Sequence, residues 1–95
     1  MSDDVDAGRA ALRNAGLADD DTTPSALMPL AGRALELDRA IVERLGRIAD
    51  DAHAVALRDL AAAAERRGWK AAAKDARRAL YRFSQRGVVA PPAPV

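Results

Sequence analysis

The sequence predicts an all-α protein, a small antiparallel bundle or short stack of helical hairpins with about four helices. Three observations lead there. Apolar residues recur every three or four positions over most of the chain, the spacing of one helix face. Glycines and prolines fall between those stretches, where they stop or start helices. No run of β-branched residues alternates with polar ones, so no strand pattern competes.

The elements follow in order. Ser2 is placed to cap a short first helix with Asp3 and Asp4 in its first turn, and Asn14 to Gly16 supplies a glycine stop. This helix is weakly apolar and reads as peripheral. Leu17 to Pro24 is a loop, and Thr23 before Pro24 is the arrangement of a helix start. Pro29 restarts or kinks that segment. From Leu30 to about Ala49, Leu30, Ala34, Leu37, Ile41, Leu45 and Ile48 form an apolar stripe, with Arg33, Glu36, Arg39, Glu43, Arg44 and Arg47 on the other side. Ala49 to Asp51 provides acids for the next helix start, and that helix runs to about Arg67 with Leu57, Leu60, Ala61 and Ala64 inward. Gly68 ends it. A last helix from Lys70 to Arg86 buries Ala72, Ala73, Ala76, Leu80 and Phe83, and Gly87 closes it. The organisation is an acidic segment over 1–25, a helical domain over 26–87 and a proline-rich tail over 88–95, extended beyond Val88 and Val89, two residues able to pack back on the core.

Composition bounds the function. With 95 residues, 49% hydrophobic and 31% charged, the chain can build one core. Much of its apolar content is alanine and only Trp69, Tyr81 and Phe83 are aromatic, so stability is marginal and a partner protein or a homo-oligomer has room to contribute. The absence of cysteine excludes disulfides, thiolate nucleophiles and cysteine-based zinc sites. The acidic opening is unlike a secretory signal, and charged residues interrupt every helix-length window. A cytoplasmic protein with no membrane partner is expected.

A net charge of +1 conceals a gradient: residues 1–25 carry −4, residues 26–65 carry −2 and residues 66–95 carry +7. Such asymmetry directs attention to polyanions, or to the acidic amino segment as an internal partner. Lys70 to Gly87 holds six bases and one acid. At about 100° per residue, Lys70, Lys74, Arg77, Arg78, Tyr81 and Gln85 gather opposite the apolar side, with Arg82 at the margin. Tyr81 sits mid-stripe, where a ring can stack on a base or a guanidinium. These seven are the candidate binding residues for an acidic protein, RNA or DNA. A solvated face that keeps an alanine-rich chain soluble is the plainer account of the same pattern. Trp69, in the connection after Gly68, either plugs the end of a hairpin or anchors a partner.

No catalytic, cofactor or metal site is expected. His53, the only histidine, lies beside Asp50 and Asp51 and reads as a surface or capping residue, too few ligands for a metal. Ser2, Ser25 and Ser84 lack a nucleophile elbow. Asp19 to Asp21 lacks the spacing of a calcium loop and reads as solvated. The six glycines are scattered, so none forms a phosphate cradle.

Lys74 to Leu80, KDARRAL, together with two helices joined by a tight turn over about 52–87, resembles one unit of a HEAT-like helical repeat. It departs from that family in having no proline inside the first helix of the unit. The resemblance implies a protein-interaction surface, an adaptor role and no catalytic residues. Leu60 to Val89 also resembles the turn and recognition helix of a winged-helix regulator, on Arg78, Ala79, Leu80, Phe83, Gly87, Val88 and Val89. That alternative implies DNA binding through the same helix. It would require a two-stranded wing where this chain has APPAPV.

Overall fold

The computed structural model describes residues 3–18 and 20–90, with side chains from Ala7 onward. Five α-helices and one 3₁₀ turn account for the regular structure among these residues: α1 (Asp3–Asn14), α2 (Pro24–Leu27), the 3₁₀ turn (Met28–Leu30), α3 (Leu35–Leu45), α4 (Asp51–Arg66) and α5 (Lys70–Gln85). No strand occurs among them. The proposed Ser2 cap and the PPAPV tail lie outside the described residues.

Helix α3 is central, packing against α1 on one side and against α4 and α5 on the other. Its Leu37, Ile41 and Leu45 meet Leu12 of α1, Leu27 of α2, Leu57 and Leu60 of α4, and Ala76, Ala79 and Phe83 of α5 in one buried cluster. The expected inward residues of α4 are all buried. Trp69 closes a second, smaller cluster with Ala64, Ala72, Ala73 and Leu35 at the α4–α5 turn. There the Trp69 N–H donates to Ala64 O at 2.9 Å and the Gly68 N–H to Glu65 O at 3.0 Å. This paired bonding needs a left-handed residue, which Gly68 supplies at φ +77°. The result is a hairpin of two 16-residue helices, the largest contact in the molecule.

Six sequence expectations are corrected, four of them in helix extent and packing. The helix expected over Leu30 to Ala49 is shorter at both ends, because Pro29 and Gly32 break 28–34 into a 3₁₀ turn and a bend. Ile48, expected in the stripe, lies beyond the helix end and is 42% exposed. On α5, Ala79 takes the buried place expected of Leu80, which packs only partly against the core, since the end of α3 comes down on Ala79 at Gly46. Helix α1 is not peripheral: Leu12 is fully buried, and Gly8 lies so close to α3 that a Cβ there would sit 2.3 Å from Glu36 O.

Polar side chains hold what the helices do not. Arg44, expected on the outer side of α3, is 2% exposed and donates to the carbonyl of Ala18 at 2.6 Å. The long side chain reaches into the loop before α2, whose backbone has no ladder of its own. Within that loop the Thr23 N–H donates to Asp21 Oδ1 at 2.9 Å, the main reason this carboxyl lies below its ordinary pKa. Asp38 is 1% exposed and accepts from the Gly32 N–H at 2.8 Å. Burial raises its pKa against the opposing pull of that N–H and of Arg67.

His53 has the capping place expected of it but not the surface one. It is 6% exposed rather than on the surface. Its Nε2 donates to Thr22 O at 2.8 Å, its Nδ1 lies 2.6 Å from Asp50 Oδ1, and its backbone N–H donates to the same oxygen at 2.8 Å. Asp50 thus caps α4 while His53 ties that cap to the loop. The His53 backbone bond is the largest cause of a lowered Asp50 pKa.

Two outcomes test this arrangement. An alanine at an exposed helical glycine adds up to about 1 kcal/mol of stability through propensity. At Gly8 the rigid Glu36 carbonyl makes overpacking dominate, so Gly8→Ala lowers stability by about 1–3 kcal/mol in urea unfolding; a raised midpoint would rule out this close α1–α3 crossing. The second outcome concerns pH. A carboxyl with a lowered folded pKa contributes stability above its ordinary value of 3.8 and loses it as the pH falls through the lower folded value. Asp50→Asn therefore shows a shallower loss of stability than the native protein below about pH 4, measured by denaturant midpoints. Equal slopes would show that the cap carries no charge-dependent stabilisation.

Candidate polyanion-binding face

Helix α5 is held on one side by small residues. Ala72, Ala73, Ala76 and Ala79 are buried with Phe83, and all seven candidate residues of the opposite side are exposed, as the helical spacing requires. Residues three and four apart on a helix are surface neighbours, so Lys70, Lys74, Arg77, Arg78, Tyr81 and Arg82 come together along about three turns.

Six of the seven line one groove of about 740 Å³, with Ala73 and, from the end of α4, Glu65 and Gly68. Gln85 is exposed but stands outside it. Trp69 is not among the lining residues: its ring rests on the small alanine cluster, with the Arg67 guanidinium 5.6 Å from the ring centre. The hairpin-plug placement accounts for that indole.

The groove is strongly positive. Glu65 is its one acid among the described residues, and it pairs with Arg77 across the hairpin, both side chains more than half exposed. An ion pair this solvated contributes little to stability and yields readily to a competing anion. Asp75, the one acid on α5, turns aside and pairs with Arg39 of α3 at 2.8 Å. A smaller concavity of about 280 Å³ lies on that flank, sharing Arg78 and Arg82 with the groove. The described part of the acidic amino segment has its main contact elsewhere, with α1 packed on α3.

A second basic cluster escaped the sequence reading. Arg9, Arg13, Arg44 and Arg47 line a small concavity of about 150 Å³ at the other side of α3. Glu43 stands at its edge, 3.5 Å from Arg9 and 2.7 Å from Arg47. Burial alone would raise the Glu43 pKa, but the Arg47 hydrogen bond and both guanidinium charges outweigh it, leaving the carboxyl lowered. Here the arginines tie α1 and the loop to α3. The signal was hidden because the four residues come from α1, from the end of α3 and from the turn after it, whose contact no periodicity reveals.

Among the described residues no three His, Asp or Glu side chains gather as a metal site, and no helix is long and apolar enough to cross a membrane. Comparison with known protein families, with curated proteins and with solved structures finds no match for this chain.

Proposed function

We propose that the protein is a non-enzymatic helical interaction module, a cytoplasmic adaptor that presents the basic face of α5 to an acidic partner, either RNA or the acidic segment of another protein. The observation that carries this reading is the groove itself: five cationic side chains and a tyrosine in one concavity with a single, already solvated acid. A face that served solubility alone would intersperse both signs. The neighbouring acids are instead drawn away, Asp75 to Arg39 and Glu43 to Arg9 and Arg47. In this reading α4 and α5 form a HEAT-like unit whose second helix carries the binding surface. The DNA-reading alternative has less support, since the chain after α5 runs without a strand to Ala90 where a wing would be needed.

The mechanism is charge-assisted contact with counterion release. Four phosphate contacts to a single strand predict a loss of affinity of roughly fiftyfold between about 50 and 200 mM salt. Fluorescence anisotropy with RNA, duplex DNA and polyglutamate measures this directly. Arg77→Glu with Arg78→Glu abolishes binding while leaving helicity unchanged by circular dichroism, because both positions are exposed. Glu65→Gln, which frees Arg77, strengthens binding severalfold. Binding that ignores salt and both substitutions would refute the proposal, and preference for one duplex sequence would move it to the DNA alternative.

A further inference from the structure

Tyr81 is 65% exposed, the most exposed aromatic of the chain, while Phe83 is 2% exposed and Trp69 packs on alanines. The core therefore uses two of the three aromatics and leaves the third in the groove. Around it stand Lys74 and Arg77 one turn or two toward the helix start, Arg78 three positions before it and Arg82 immediately after. Ala73, without bulk, lies within the same concavity, and Gly68 leaves its α4 end open.

From this arrangement we infer that the groove seats an unpaired nucleotide of single-stranded RNA, with its base stacked on the Tyr81 ring and its flanking phosphates on Arg77, Arg78 and Lys74. The inference rests on the proposed polyanion reading and narrows its ligand. Its first ground is volume. A groove of about 740 Å³ is the size of sites that take whole small molecules, and far exceeds what a carboxylate or phosphate alone would fill. The second is chemistry. An acidic peptide engages the guanidinium groups but offers no flat partner to the ring, whereas a base with its phosphates engages both. The third is access. In a duplex the base faces are already stacked, and exposing one to a tyrosine on a helix surface costs several kilocalories' worth of unstacking. Single-stranded RNA presents those faces at no such cost, and aromatic stacking is its usual mode of recognition.

The decisive experiment separates the ring from the charges. Binding of the full chain to an oligouridylate, an abasic oligomer of the same length, duplex RNA and polyglutamate is measured by anisotropy or competition at low salt. Tyr81→Ala is expected to weaken oligouridylate binding by about fivefold to a hundredfold, the worth of one stacked base. Tyr81→Phe retains most of the affinity because it keeps the ring. Polyglutamate and the abasic oligomer bind the native and Tyr81→Ala proteins alike. Oligouridylate no tighter than the abasic oligomer, or unaffected by Tyr81→Ala, overturns the stacking inference while polyglutamate binding preserves the broader reading. Failure of every polyanion to bind overturns both.

Discussion

Alanine at the α4–α5 seam sets the geometry of the molecule. Ala64, Ala72 and Ala73 are buried where the two long helices meet, Ala76 and Ala79 continue the same side of α5 into the main cluster, and their small size lets a narrow stripe of α5 suffice for packing. Apart from Leu80, which packs partly on the core, and Asp75, which pairs with Arg39, the rest of its circumference is left to solvent. That is why one helix holds a buried side and a long cationic side, with Phe83 as the one large residue it inserts into the main cluster. The same economy operates at α1, where Gly8 meets Glu36 and Ala40 at a distance no side chain would allow.

Small contacts bury little area each, so the large residues Leu12, Leu27, Ile41, Leu45, Leu57 and Leu60 carry much of the hydrophobic stabilisation. They converge on α3. The irregular stretch from Ala15 to Ala34 has few of its own, and polar side chains compensate. Arg44 holds the loop from below, His53 joins it to the cap of α4, and Asp38 fixes the bend at Gly32. Each is a buried group whose removal would leave an unsatisfied partner, the costly kind of polar loss. The site on α5 depends on this frame indirectly, because the cap tied by His53 begins the helix against which α5 packs.

Sequence reasoning found α4, α5 and the charged face because those depend on one helix at a time. The spacing of Lys70, Lys74, Arg77, Arg78 and Tyr81 places them together whatever the helix packs against. It missed what depends on two elements. Arg44 occupies a polar position of its own helix, and only the arrival of the loop turns that position inward. His53 beside two aspartates looks like a surface residue until Thr22 covers it. Leu80 outranks Ala79 in hydrophobicity, yet it is Ala79 that faces the end of α3 at Gly46. The start of α3 was misjudged because Leu30 and Ala34 continue its period in sequence across a bend that interrupts it in space.

The groove over Tyr81 is bounded largely by lysine and arginine side chains rather than by backbone. Such side chains have many rotamers to lose on a ligand. Ordering each long side chain on a ligand costs about 0.5–1.5 kcal/mol of conformational entropy, so several contacts must form before binding becomes favourable. Partners would then be selected by density of charge and reach more than by contour, and would exchange quickly. Under the proposed reading, such a face would suit brief, repeated encounters along a chain of similar sites, with residence time set by how many it touches at once.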